Sequence, residues 1–440
     1  MSHYFIAWEF AGHQCTAISG MVAGWSVRVR SIFQSIDRIS KGAHQVNAKD
    51  RQLRTTLTQW QCTRSGNLLF PIKKGDWHTG CIGINETTIR DTKAEFLEMS
   101  IARFIKEIAG DAETLRDLGE GDAHDLFAAM LDGGVPDLEL GACLCALRTK
   151  RESATELLGF YRAASERVYL LKPPPTPLRP LVFATYGGAR LEPNLLPLLV
   201  LLLKRMGVPV LLHGTLEGGG RVASAYILRA LGVLPGGSLA HAQKSLDEDL
   251  LAFVPTAVLC PGLANMLALR SRLGISNPAH SLVTLLDPIE GSGLRMVSAN
   301  QPRRLEQLEE FLIATGFDAL LMKSTEGEPF ANPKQRPRIK FFRRGETTVL
   351  FEEEMQSARG VTSQPSAADA TATALWVKQA MAGQVPIPYP LVNQLACCLY
   401  ASGYTEDMNQ AKAIAAVEAG GLSPQIHGRS SEAAHSRTIA

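Results

Sequence analysis

The 440-residue chain reads as an α/β protein in which a small all-helical domain precedes a larger domain built on a mainly parallel sheet. Two patterns predict this. Between residues 99 and 168 the apolar positions recur at helical spacing throughout. From residue 181 onward, apolar runs of strand length alternate with helix-length amphipathic segments, which lays parallel strands side by side with helices on both faces. Composition adds a limit: 45% of residues are hydrophobic, 20% are charged and the formal net charge is +2. Bulk charge gives no reason to bind nucleic acid, so any basic surface must be local.

Residues 1–98 hold four of the five tryptophans (Trp8, Trp25, Trp60, Trp77) and show little sustained periodicity. "MSIARFIKEIAG" then begins abruptly, with Ile101, Phe104, Ile105 and Ile108 on one helical face. Met99 therefore reads as a natural start and 1–98 as an upstream extension, with a small extra domain as the alternative. In the helical domain, 99–171, "DAHDLFAAMLDGG" offers Asp122 as an N-cap and Gly133-Gly134 as a stop. Pro136 suits the first turn of "PDLELGACLCALRTK", and Ser153 suits the cap of "SATELLGFYRAASERV". The proline-rich "KPPPTPLRP", residues 172–180, is predicted to be a stiff spacer that sets the separation of two domains.

In the α/β domain, 181–421, "PLVFA", "VPVLLHG", "LLAFVPTAVLC", "LRMVSA" and "DALLMKS" are strand candidates. "PNLLPLLVLLLKRMG", "RVASAYILRALG", "PGLANMLALRSRLG" and "RRLEQLEEFLIATG" are helix candidates between them. "PRIKFFRRGETTVLFEEE" reads as a hairpin, three further helices follow it, and residues 422–440 read as a disordered tail. The longest apolar run, "LLPLLVLLL", is far short of the ~18 residues of a membrane span, so no membrane segment is expected. With no signal-peptide pattern and eight cysteines lacking any CxxC pair, a cytoplasmic protein with reduced, buried thiols is expected.

Ligands on such sheets collect at the carboxyl ends of the strands, where "TYGGAR", "HGTLEGGGR" and "KSTEGEP" lie. Gly187 and Gly188, between a strand and what reads as a helix start, suit a phosphate. His213, Gly214, the glycine run and Arg221 make either an anion site or a flexible strand–helix turn. Asn277 and His280 precede an apolar run, and His280 is either functional or a satisfied structural histidine. Lys323, Lys334, Arg336, Arg338, Lys340, Arg343 and Arg344, with Phe341 and Phe342 interleaved, make either a phosphate-reading patch or a hairpin edge protected by its charges.

These stretches carry a family resemblance. In order, "GGVPDLELGA", "LLGFYRA", "YGGAR", "HGTLEG", "FVP", "NPAHSLVTL", "TEGEPFANP" and "QLACCLYASG" resemble the anthranilate phosphoribosyltransferase superfamily, glycosyltransferase family 3, from Met99 to about Gly421. Within it the chain is most similar to the YbiB group of nucleic-acid-binding, phosphoribosyltransferase-like proteins. The resemblance implies the class II phosphoribosyltransferase fold, and it also exposes departures. The enzymes' Gly-Thr-Gly-Gly-Asp loop keeps Gly187 and Gly188 here, with Ala189 at the aspartate place. Their Lys-His-Gly-Asn motif is matched only by His213 and Gly214, between Leu212 and Thr215. The anthranilate-binding arginine aligns with Ser276, and the magnesium-binding Asp-Glu pair with Pro329 and Phe330.

The resemblance with these departures implies a non-catalytic, sequence-independent DNA or RNA binder with no metal and no cofactor. The alternative is an active glycosyl- or phosphoribosyltransferase that uses phosphoribosyl diphosphate with magnesium and an aromatic or nucleobase acceptor. Only Glu326, Glu328 and Asp287 could then replace the lost metal ligands. For the binder, the expected groove is the interdomain cleft lined by Arg190, Arg221, Arg270, Arg272, Asn277 and His280, extended by Lys323, Arg336 and Arg338. A homodimer through the helical domain is expected from the family, with Leu138, Leu140, Leu144, Leu157, Leu158 and Phe160 as shared apolar positions.

Overall fold

In the computed structural model the chain divides into two units, Met1–Ala94 and Glu95–Ala440. The structure describes residues 101–354 and 364–419, apart from 112, 292 and 368, and five strands of the first unit. The suggested start at Met99 and the tail from 422 lie outside the described residues. In the first unit β1 (Trp8–Ala11) pairs antiparallel with β2 (Gln14–Ala17). There β3 (Gln61–Cys62), β4 (Leu68–Lys73) and β5 (Asp76–Thr79) form a second antiparallel sheet.

The second unit opens with four helices: α1 (Ile101–Ile108), α2 (Glu120–Leu131), α3 (Asp137–Lys150) and α4 (Ala154–Ser165). Ser153 caps α4 through a full capping box with Glu156, satisfying two otherwise orphaned N–H groups. Glu156 is fully buried and also accepts the Leu118 N–H at 2.9 Å and the Lys150 ammonium at 2.6 Å. Two terminal assignments change. Gly119, not Asp122, is the N-cap of α2, so Asp122 lies in the first turn, where a carboxylate still favours the helix dipole. Pro136 occupies the N-cap of α3 rather than its first turn.

A seven-stranded sheet follows, in the order β12-β11-β10-β9-β6-β7-β8. Its parallel part comprises β6 (Leu181–Thr185), β7 (Val210–Gly214), β8 (Leu251–Pro255), β9 (Leu294–Ala299) and β10 (Ala319–Lys323). The hairpin β11 (Ile339–Arg343) and β12 (Glu346–Phe351) adds the antiparallel edge. Between them run α5 (Leu196–Arg205), α6 (Ser224–Ala230), α7 (Leu239–Asp249), α8 (Thr256–Leu259), α9 (Pro261–Leu273), α10 (Ala279–Leu282) and α11 (Pro302–Thr315). Finally α12 (Ala370–Met381), α13 (Tyr389–Ser402) and α14 (Met408–Ala419) close the unit. "LLAFVPTAVLC" is not one strand: Pro255, which cannot donate to a ladder, ends β8 and α8 begins at Thr256.

Alternate residues of β6, β7, β8 and β10 feed opposite cores, as the two-residue period of a strand requires. On β10, Leu320 and Met322 join a core with α5, α12 and α13, while Ala319 and Leu321 join one with α9, α11 and the four leading helices. That second core is continuous. Phe127 and Phe160 of the leading helices share it with Leu263 of α9 and Phe311 of α11. The proline-rich segment therefore does not hold two bodies apart. It lies along the α/β part, with the Leu171 N–H on Pro288 O at 2.8 Å and the Arg179 N–H on Ser402 O at 2.9 Å.

Candidate functional site

Strand order fixes where a ligand should bind. The chain runs outward from β6 through β7 to β8 on one side, and from β9 to β10 on the other. Connections leaving adjacent strands in opposite directions open a crevice at their carboxyl ends, here beyond β6 and β9. A cavity of about 790 Å³ occupies that place, walled by the loops after both strands, by α9 and α11, and by the end of α3 with the turn that follows it. Its lining includes Arg148, Arg151, Arg221, Arg270, Arg303 and Arg304.

The structure sorts the sequence-predicted residues. Arg270 is exposed and lines the cavity; Arg272, two residues on, is exposed but does not line it. Two residues on a helix turn the side chain by about 200°, so both cannot face one groove. Asn277 lines the cavity but is buried, its amide donating to Met266 O at 2.7 Å and its carbonyl oxygen accepting the Ala279 N–H at 3.0 Å. His280 lines the wall, but burial, followed by the nearby Arg270, pushes its pKa down to about 4. It is neutral near pH 7 and carries no charge to a phosphate. Arg190 is exposed outside the cavity lining.

The hairpin cations do not extend the cleft. Arg336 pairs with Glu354 at 3.0 Å and lies over the Phe351 ring, and Arg338 pairs with Glu352 at 3.0 Å. Lys334 pairs with Glu192 at 2.7 Å, Lys340 pairs with Glu309, and Phe341 and Phe342 are buried in the core rather than offered for stacking. Lys323, at the end of β10, is exposed and outside the lining. The charge-protected edge is the reading that fits.

Sequence reasoning missed Arg148, Arg151, Arg303 and Arg304. Both pairs were visible, in "LRTKRES" at a helix end and in "NQPRR" just after a strand, but their convergence depends on the helical part docking directly on the sheet. Arg148 raises the positive potential at both His280 and Arg304.

The glycine loop already has occupants. Glu328, fully buried, accepts the N–H groups of Gly187 and Gly188 at 2.8 Å each through one oxygen. Its other oxygen accepts the hydroxyls of Thr185 and Ser224. Glu326 accepts N–H bonds from Arg190, Leu191 and Glu192 and is paired with Arg221 at 3.1 Å. Burial works against the charge of Glu326, but those N–H groups and Arg221 outweigh it and hold the carboxyl below its ordinary range. Asp287 is elsewhere, at the amino ends of the strands beside Arg295 and Arg179, in a second cavity. Gly188 has a φ of +61°, and an added Cβ would meet Val222 O at 2.9 Å, so the loop shape requires glycine. His213 is buried behind the loop, its Nδ1 2.8 Å from the Tyr186 hydroxyl, and burial pushes its pKa down to about 4.

Five of the six dimer candidates pack inside the unit or partly so, Leu140 among those packed against its core. Leu144, Leu157 and Phe160 are fully buried in the monomer's core and Leu158 packs against it, whereas Leu138 is 83% exposed. Of the cysteines described, Cys143, Cys260, Cys397 and Cys398 are free and buried, and Cys145 is free but exposed. Among the described residues no helix is long and apolar enough to cross a membrane.

A helical bundle docked on a mainly parallel α/β sheet, with its crevice at the switch point, defines a phosphoribosyltransferase-like protein. Residues 104–168 match the helical bundle domain of the glycosyl transferase family. Anthranilate phosphoribosyltransferase from Thermus thermophilus shares the fold with a TM-score of 0.57 at 22% identity, over 72% of this chain and 94% of that one. The Saccharomyces cerevisiae enzyme in complex with PRPP and Mg does so with a TM-score of 0.57 at 15% identity, over 76% and 98%. In sequence, the chain is 42% identical over 306 residues to the uncharacterized protein YbiB of Escherichia coli (strain K12), covering 69% of this chain and 95% of the relative. It is 29% identical to the anthranilate phosphoribosyltransferase of Methylobacterium radiotolerans, over 45% of this chain and 57% of that protein. The chain belongs to the YbiB group of the anthranilate phosphoribosyltransferase superfamily.

Proposed function

We propose that this protein binds nucleic acid non-catalytically, with little sequence preference, in the arginine-lined cleft at the sheet's switch point. One observation carries the reading: Arg148, Arg151, Arg270 and Arg303 converge there from three separate elements. Guanidinium groups are the side chains best suited to phosphate oxygens, and several around one groove match a repeating polyanion better than a single small ligand. Contacts of this kind fix a backbone without reading bases. The same geometry weakens the transferase alternative. Glu326 and Glu328 spend their oxygens on N–H groups, hydroxyls and Arg221, and Asp287 lies in another cavity, so the three substitutes do not assemble a magnesium site.

Pairing of two chains through the helical part belongs to this reading, because two clefts on one strand would raise affinity through effective concentration. Leu138 is the exposed apolar position that favours it, and sedimentation as a clean monomer at micromolar concentration would remove it. The decisive experiment titrates single-stranded DNA, duplex DNA and RNA at two salt concentrations. Saturable binding that falls steeply with salt supports the proposal. No binding at low salt, or tight calorimetric binding of phosphoribosyl diphosphate with magnesium, overturns it.

A further inference from the structure

We infer that Glu326 acts as an internal anion, seated in the anion-binding turn after β6 and shutting external diphosphate out of it. Three consecutive N–H groups, of Arg190, Leu191 and Glu192, converge on Oε1 at 3.1, 2.7 and 2.9 Å. Oε2 takes a second bond from the Arg190 N–H at 3.1 Å and one from the Arg221 guanidinium at 3.1 Å. Successive backbone N–H groups closing on one point, with a guanidinium alongside, are the usual receptor for a phosphoryl oxygen. Here a side chain of the same molecule supplies the oxygens.

The turn that delivers it is shaped for the purpose. Glu326 has a φ of +55°, a conformation that L-residues other than Asn and Asp rarely adopt, and Gly327 follows at +100°. Arg221 also donates to the Glu326 carbonyl oxygen at 3.2 Å, gripping side chain and backbone of one residue. A tethered carboxylate competes at the high effective concentration of any intramolecular ligand, so a free anion must displace it rather than enter an open site. The carboxyl is held below its ordinary range, so the occupant stays charged near neutral pH. Glu328 fills the neighbouring glycine N–H groups from deeper in the core and is not needed for this step.

Glu326 and Arg221 also line the cleft, but the inference is separable from nucleic-acid binding because Arg148 and Arg270 belong to the cleft and not to this turn. Its test is calorimetric titration of inorganic pyrophosphate, without metal, into the full chain. Wild type should show no saturable binding. Glu326→Gly, which removes the carboxylate and suits the positive φ, should bind pyrophosphate at least about tenfold more tightly. Adding Arg221→Ala to that variant should abolish the gain. Glu326→Gln, which keeps the side chain's length but not its charge, should shift in the same direction by less, and serves if the glycine variant does not fold. Wild type binding pyrophosphate as tightly as the variants would overturn the inference. So would a variant, folded by circular dichroism, that gains nothing.

Discussion

Glu328 Oε1 accepts the Gly188 N–H at 2.8 Å, closing a loop whose φ of +61° at Gly188 only glycine adopts readily. The same oxygen holds Gly187 N–H, and the other holds the Thr185 and Ser224 hydroxyls, so one buried carboxylate ties β6 to α6. The loop's shape is therefore maintained from within, without any ligand.

Removing that carboxylate should destabilise the fold. Glu328→Ala leaves the buried Gly188 N–H, the part-buried Gly187 N–H and the Ser224 hydroxyl without their acceptor, while Thr185 can still donate to Ser224 Oγ, at a cost of roughly 3 kcal/mol. Glu328→Gln should cost less, since its carbonyl oxygen still serves the glycines and the hydroxyls can rotate to accept from its amide. Urea denaturation of the three proteins checks the order; equal midpoints for wild type and the alanine variant would refute it.

Cleft and hairpin arginines should separate in nucleic-acid binding. Arg148→Ala and Arg270→Ala remove cations that line the cavity, and each should flatten the salt slope by about one unit if it contacts a phosphate. Arg336→Ala and Arg338→Ala remove cations already paired with Glu354 and Glu352, so affinity should change little. Arg272→Ala should resemble the hairpin variants. Fluorescence anisotropy at several salt concentrations reads all five, and a larger loss from the hairpin than from the cleft would move the binding surface there.

Much of this fold was legible because its signals are local. The short apolar run "LRMVSA" became β9 without change, and Ser153 announced the α4 cap. The cleft was only half legible. Arg270 and Arg272 look equivalent in a string, and only a helix's 100° per residue sends them to different faces. The roles of Glu326 and Glu328 were opaque, because their N–H partners lie more than 130 residues away and backbone donors leave no mark in a sequence. Helix α7 was also missed: only Ala242 and Leu246 are buried on it, too few to mark a periodic face.

Acidification should lower stability through two histidines. Burial holds both His213 and His280 at a pKa of about 4, below the 6.5 expected unfolded. Between those values the unfolded chain binds more protons than the folded one, so stability falls as pH drops from about 6.5 toward 4. For fully buried His213 the whole effect is on the order of 3 kcal/mol, and for the partly exposed His280 it is less. Urea midpoints at pH 7, 5.5 and 4.5 should decline, and His213→Gln should flatten the decline. An unchanged slope in that variant would mean His213 takes up its proton alike in the folded and unfolded states.

Two glycines in the leading helices should respond in opposite directions to the same substitution. Gly159 lies on the buried face of α4 where it crosses α2, and an added Cβ would stand 2.3 Å from Glu120 O, 2.8 Å from Ala123 Cβ and 2.9 Å from His124 N. Two of those three atoms are backbone and cannot swing aside, so α2 and α4 must separate. That strains the adjoining Phe127–Phe160 contact, whose ring centroids are 5.0 Å apart. Overpacking of this kind costs more than the ~1 kcal/mol that alanine gains over glycine inside a helix, leaving a net loss of roughly 1–3 kcal/mol. Gly141 sits within α3 with nothing within 4 Å of its added Cβ. Gly141→Ala keeps the helical gain and should stabilise by about 0.5–1 kcal/mol. Thermal melts of the two single variants read both signs directly, and a Gly159→Ala protein as stable as wild type would show that the helices can part without loss.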